Sequence, residues 1–398
     1  MIRNIQIDQT LLVKGPARIN LLEGKIEVFG KIFVKEKDDS IIVPSANTYP
    51  LHALETSKLE IYTKSDENLK LIEEDTISKE WVKVKDIVIE EVKKKSTNAP
   101  IKVMVLGISS GKTTLIKYIA NHILREGLKG GYLDSDLGQQ IMYLPTTLNI
   151  GEIKDFIISS ADIETEETVF IGSTFPKSSY KFIVSHSCKD LIDRYSKKHK
   201  DTNVILVDSD GWIKTEAGIV YKNFFIELVN PDILIVFHDD SIEELDIIEK
   251  NASKSKSRKI ILLKEKNIYF YEKDKDERRF LRQSQFAKVL ETYRKISIPL
   301  DDIKFIKTDY DKENNKILEK EIEIKDLITL PYHYVIISLL TEDSKLIKIG
   351  LLFVINIEKN YILLFSDLNF KEQMKVKKIL LGSLRLSTKG NHQGYLYL

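Results

Sequence analysis

The chain has 398 residues, more than one ordinary core accommodates, so two or three domains are expected. Its 61 Lys and Arg nearly cancel 60 Asp and Glu, which excludes a globally basic nucleic-acid binder and leaves only a local patch for such a partner. The single cysteine, Cys188, excludes an internal disulfide framework and a cysteine metal cluster, and reads as a small buried hydrophobe.

The opening residues MIRNIQIDQT lack the apolar stretch of a signal peptide. No run approaches the roughly 20 apolar residues of a membrane span. The expectation is a soluble, cytoplasmic protein with no membrane partner.

Residues 1–97 read as a β-rich domain: KIEVFGKIFV at 25–34 alternates around a glycine, and short apolar-polar segments follow. Asn98-Ala99-Pro100 punctuates the chain. IKVMVLG is then a buried-type strand, GISSGKTT a small-residue loop, and TLIKYIANHILREG an amphipathic helix ended by Gly127. GGYLDSD is a strand and turn, and FIISSAD and ETVFIGS flank an extended section. KFIVSHSCKDLIDRYSKKH is helical by periodicity, NVILVDSDGW a strand, GIVYKNFFIELVN a helix, and PDILIVFH and KIILLKEK strands. This alternation predicts an α/β domain over 98–294, with a mostly parallel sheet covered on both faces. The charge-dense stretch 272–284 reads as a basic lid or as a solvated helix start. Residues 295–398 return to short strands and read as a C-terminal β-rich domain.

The chemistry concentrates in Gly107, Ile108, Ser109, Ser110, Gly111, Lys112, Thr113 and Thr114, between a strand and a helix. Small residues there let backbone N–H groups cradle phosphates at a helix N-terminus. Lys112 would reach the β- and γ-phosphates, and the Thr113 hydroxyl would meet Mg²⁺. Three residues separate Gly107 from Gly111, where the usual phosphate loop has four. With Gly111-Lys112-Thr113 anchored, the first glycine position falls on Leu106, or the loop is one residue tighter.

Asp134 and Asp136 close the next strand ahead of Gly138-Gln139. Such a carboxylate pair can hold Mg²⁺ or its waters and accept a proton from an attacking hydroxyl. Asp208 ends another apolar strand, as a Walker-B-like metal residue does, while Asp210-Gly211 simply turns the chain. These sites fall at strand C-termini, where open α/β sheets bind ligands. Arg278, Arg279 and Arg282 would neutralise transferring phosphate charge or line a solvated helix. The seven histidines show no ligand spacing, and His186 and His199 read as surface or packing groups.

Together these motifs resemble the polynucleotide 5′-hydroxyl kinases related to the RNA-processing factor Clp1 and to the Grc3/NOL9 proteins. Residues 107–114 match the family's Walker A loop. Asp134, Asp136, Gly138 and Gln139 match its Asp-x-Asp-x-Gly-Gln motif, and the segment 170–176 its Phe-x-Gly-x-x-x-Pro stretch. Ser209-Asp210-Gly211-Trp212-Ile213-Lys214 resembles its clasp, and Gly15-Pro16-Ala17 with 24–30 its N-terminal domain.

The resemblance implies a P-loop NTPase domain between two β-rich domains, with ATP and Mg²⁺ as cofactors. It implies γ-phosphoryl transfer to the 5′-hydroxyl of RNA or DNA, with RNA-processing proteins as further partners. It makes Asp136 the base or water-mediated metal contact, with Asp134 the alternative. Gln139 contacts substrate or metal hydration, and Ser209, Gly211, Trp212 and Lys214 clamp the loop. The arginines steady the γ-phosphoryl. A nucleotide-bound scaffold with little turnover and an unrelated P-loop NTPase are the competing expectations. No Asn-Lys-x-Asp guanine-reading motif is present in the sequence.

Overall fold

Strand Ile101–Leu106 sends alternate side chains to opposite faces of a sheet, and both sets are buried. Met104 and Leu106 join one core and Val103 and Val105 another, which is why the segment reads as a continuous apolar run. The computed structural model describes residues 1–397 except 36–39, 96, 98, 110, 265–267 and 270–272. Asn98, at the expected start of the central domain, and Glu272, at the start of the expected lid, therefore lie outside the described residues.

The central sheet has seven strands in the order Glu167–Phe170, Thr147–Ile153, Gly130–Asp134, Val204–Asp208, Ile101–Leu106, Ile233–Phe237 and Lys259–Leu263. The last five run parallel, and the first two add an antiparallel edge. Helices Tyr180–Lys198, Glu216–Val229 and Glu243–Ala252 cover one face. Helices Lys79–Lys94 and Lys112–Arg125 cover the other.

Helix Lys79–Lys94 falls within the segment expected to be β-rich. Ser78 caps it, accepting from the Trp81 N–H at 3.3 Å. Trp81, Val84, Val88 and Val92 form its buried stripe against the central sheet. The strands before it make two antiparallel sheets, of four and five strands, that share a core including Ile19, Leu59, Val13 and Leu51.

The C-terminal part is an eight-stranded, mostly antiparallel sheet. It meets the central domain through a core holding Leu144, Phe170, Phe286 and Leu290 with Ile336, Ile349, Leu351 and Leu384. Gly172 lies against Gly382 so closely that a Cβ on Gly172 would stand 2.3 Å from the Gly382 Cα. The N–H groups of Ser383 and Leu384 both donate to the Gly172 carbonyl, at 2.8 and 3.1 Å. On the other side, Asn121 ties the helix after the phosphate loop to the N-terminal sheets, donating to the Phe29 carbonyl at 2.8 Å.

Candidate active site

Strand Ile101–Leu106 ends at Leu106, which stays fully buried and paired with Val236. The strand therefore runs through Leu106, and the loop opens at Gly107. Gly107 (φ 152°) and Gly111 (φ 89°) take conformations that suit glycine. Ser109 also carries a positive φ, 44°, a left-handed state that costs an L-residue on the order of 1–2 kcal/mol. A serine thus absorbs part of the turn. Ser110 lies outside the described residues.

Lys112 opens helix Lys112–Arg125 and donates its Nζ to the Gly107 carbonyl at 2.8 Å. Desolvation holds its pKa below the ordinary lysine value, opposed by the charges of Asp208 and Asp136. The Thr113 hydroxyl donates to Asp208 Oδ2 at 2.6 Å, and the Tyr132 hydroxyl reaches the same oxygen at 3.0 Å. Asp208 and Asp134 are register partners on adjacent parallel strands. Desolvation, then Asp208, then Asp136 push the Asp134 carboxyl well above its usual range.

Asp136 sits two residues on, in the turn. Its Oδ1 accepts from the N–H of Gly138 at 2.9 Å and of Gln139 at 3.0 Å. Its pKa is raised by desolvation and then by Asp210, against the lowering pull of Lys112. Gln139 donates to the Gly138 carbonyl at 3.0 Å and lies beneath Arg278, whose carbonyl it reaches at 3.5 Å.

The 209–212 segment packs over the loop. The Ser209 hydroxyl donates to the Val105 carbonyl at 2.7 Å. A Cβ at Gly211 would stand 3.6 Å from the Gly107 carbonyl oxygen and 3.8 Å from Lys112 Nζ. Trp212 packs on Phe175 of the 170–176 segment, ring centroids 4.5 Å apart. Lys214 is exposed.

Asp210 does more than turn the chain. Its Oδ2 accepts from the Tyr221 hydroxyl at 2.9 Å and lies 3.0 Å from Nζ of the fully buried Lys222, while Oδ1 accepts the Trp212 N–H at 2.8 Å. Sequence reading missed Tyr221 and Lys222, because they sit within an ordinary amphipathic helix and only the tertiary fold aims them at Asp210.

Helix Lys275–Leu290 begins with a capping box between Asp274 and Glu277. Its first turns carry the arginines. Arg278 donates to the Ser109 hydroxyl at 2.7 Å, and Arg282 to the Gly138 carbonyl at 3.0 Å. Arg279 is exposed, and its charge, like that of Arg282, is felt at His392. Desolvation, then Arg279 and Arg282, hold that imidazole below its ordinary pKa.

Beside Thr114 a cavity opens toward the N-terminal sheets, lined among others by Phe29, Tyr49, Lys117, Tyr269 and Lys273. Lys117 donates to the Ile158 carbonyl at 2.9 Å, and desolvation followed by the Lys273 charge draws its pKa down to about 7. Sequence reading missed Lys117 as well, since nothing local distinguishes it from a surface lysine of the helix.

Residues 107–292 match the family described as mRNA cleavage and polyadenylation factor CLP1 P-loop. The chain is similar to the polyribonucleotide 5′-hydroxyl-kinase of Methanocaldococcus jannaschii, with 25% identity over 76% of this chain and 91% of that one. It is similar to the polyribonucleotide 5′-hydroxyl-kinase of Pyrococcus abyssi at 29% identity, over 52% of this chain and 56% of that one. A chain of the solved wild-type Clp1p–Pcf11p complex superposes with a TM-score of 0.74 over 97% of both chains, at 14% identity, a likeness of fold alone. No described helix is long and apolar enough to cross a membrane.

Proposed function

The chain belongs to the Clp1/Grc3/NOL9-like family of polynucleotide 5′-hydroxyl kinases, and from that premise we propose that it transfers the γ-phosphoryl group of ATP to the 5′-hydroxyl end of RNA or DNA. The observation that carries this reading is the convergence of Lys112, the Thr113–Asp208 pair, Asp136 and Arg278 on one phosphate loop. The names of the archaeal relatives favour RNA.

In this reading the loop N–H groups and Lys112 hold the phosphates, and the cavity beside Thr114 takes the nucleoside. The donors around Thr113, Asp208, Asp134 and Asp136 are all hard oxygens, a set that suits Mg²⁺ and no soft metal. Bound there, Mg²⁺ would offset phosphate charge. Asp136, its Oδ1 held by two backbone N–H groups, offers Oδ2 to the incoming hydroxyl. Its raised pKa brings it nearer to a working general base. Arg278 and Arg282 stabilise charge on the transferring group, while Asp210, fixed by Lys222 and Tyr221, keeps Gly211 and Trp212 over the loop. Recognition of the nucleic acid would run through its backbone rather than its bases.

Transfer of labelled phosphate from ATP to a 5′-hydroxyl oligonucleotide tests this. Lys112→Ala and Asp136→Ala should each lower the rate by at least about 100-fold. A second reading, a nucleotide-bound scaffold of RNA-processing proteins, is favoured by the short glycine spacing and by Ser109 in a left-handed state. It predicts ATP binding without transfer and a stable protein partner.

A further inference from the structure

The loop after strand Ile233–Phe237 sets one imidazole against two carboxylates of the following helix. His238 leaves the strand with its N–H bonded to the Leu263 carbonyl at 2.8 Å. Its side chain is only 10% exposed. Nε2 meets Asp240 Oδ1 at 2.8 Å. Nδ1 is buried, and no described group hydrogen-bonds it. It nevertheless faces Asp246 Oδ1 at 3.8 Å and Glu249 Oε2 at 3.7 Å.

Those separations are too long for hydrogen bonds. They suit two donors that share one ion. Ligand atoms at about 2.0–2.2 Å from a tetrahedral centre lie roughly 3.3–3.6 Å from each other, and slightly wider angles give the spacing seen. All three atoms lie within 4.8 Å of one another. Asp246 and Glu249 are one helical turn apart on the same face of helix Glu243–Ala252, whose Leu245 and Ile248 are anchored in the core. The ligand positions are therefore set by rigid elements. Asp240, accepting a hydrogen bond from Nε2–H, selects the tautomer whose Nδ1 lone pair points at the two carboxylates, as a carboxylate behind a metal-bound histidine does.

We propose that His238 Nδ1, Asp246 and Glu249 bind one first-row divalent cation of the zinc class, with Asp240 orienting the imidazole. The donor set is one nitrogen and two carboxylates, which neutralise a dication and favour Zn²⁺ over Mg²⁺ or Ca²⁺. Asp246 is 60% exposed, so an ion can enter from solvent and a water can complete the shell. The site shares no residue with the phosphate loop and lies one strand away from it. It would pin the 238–242 loop onto the helix. A second cluster, Glu152, Glu166 and His199, is a poorer candidate. There His199 Nε2 is already bonded to Glu166 at 2.8 Å, and Lys198 engages the same carboxylate.

The test is Zn²⁺ titration of the full, chelator-stripped chain in saturating Mg²⁺, read by calorimetry and by thermal melting. The wild-type chain should take up Zn²⁺ at a site that raises its melting temperature. Glu249→Gln and His238→Ala should each weaken that site by at least about 10-fold, and Asp240→Asn by about 10- to 100-fold. Glu249→Gln alters a partly exposed carboxylate with little change of shape, so it stays informative if His238→Ala folds poorly. A wild-type chain that takes up no Zn²⁺ would overturn the proposal. So would unchanged affinity in Glu249→Gln, or a site lost in His199→Ala.

Discussion

Asp134 shows how one carboxyl can serve a site and weaken a fold. It is 4% exposed and lies beside Asp208 and Asp136, so its negative charge is costly without a cation. Its pKa is raised in the folded chain, so as pH rises above the ordinary value of 3.8 the unfolded chain releases this proton first. The folded state then loses stability until the raised pKa is passed. Asp134→Asn removes that loss. The variant should match the wild-type chain near pH 4 and exceed it by about 1–2 kcal/mol at neutral pH without nucleotide, while losing phosphoryl transfer. Urea unfolding at both pH values checks this, and equal differences at the two would contradict it. Lys112, Asp134, Asp136 and Asp208 were legible in the sequence because each stands at a strand end or in a spaced motif. Tyr132, Tyr221, Lys222 and Lys117 were not, because their roles arise from side chains that meet only across the fold.

Three elements converge over the phosphate loop: the loop itself, the 209–212 segment and the start of helix Lys275–Leu290. Gly211 is the contact point of the second. A methyl there meets its neighbours at ordinary van der Waals distance, 3.6–3.8 Å, but a branched side chain would press on Gly107 and Lys112. Gly211→Ala should therefore keep ATP affinity within a few-fold, whereas Gly211→Val should lower it at least about 10-fold. Calorimetric ATP titration of the two variants separates these outcomes, and equal affinities would remove the segment's role as a clamp. Most strands and helices of the central domain follow from apolar runs and periodicity, though helix Glu243–Ala252 was not read. The helix Lys79–Lys94 escaped because its polar residues and two valine-rich turns sit within a stretch of alternating segments. The buried strand Thr147–Ile153 escaped because its pairing partners, Gly130–Asp134 and Glu167–Phe170, are fixed by tertiary contact and by no turn signal of its own. The shortened loop was visible as spacing, but its solution, a positive φ at Ser109 with Leu106 retained in the strand, needed the backbone.

Across the whole molecule, the site is held from both flanks. The N-terminal sheets reach the helix after the phosphate loop through Asn121, and Arg125 bonds to the Gly30 carbonyl. The C-terminal sheet holds Phe286 and Leu290 of the arginine helix in a shared core, which anchors one end of that helix while Arg278 and Arg282 reach the site from the other. The three-part order was legible from composition shifts, but these couplings were not, since they join residues far apart in sequence. Gly382 lies on the C-terminal side of this close contact, where a Cβ would stand 2.8 Å from the Gly172 backbone. Gly382→Val should cost about 1–3 kcal/mol and displace the arginine helix, lowering phosphoryl transfer with ATP affinity largely kept. Loss of neither stability nor transfer would contradict that coupling. The proposed role of the residues gathered on the phosphate loop is phosphoryl transfer to nucleic-acid ends. Its most direct measurement is transfer of labelled phosphate from ATP and Mg²⁺ to matched 5′-hydroxyl RNA and DNA oligonucleotides by the full chain. Labelled 5′-phosphate ends are expected, lost at least about 100-fold in Lys112→Ala and Asp136→Ala. A wild-type chain that binds ATP yet labels neither oligonucleotide at any Mg²⁺ concentration would contradict it.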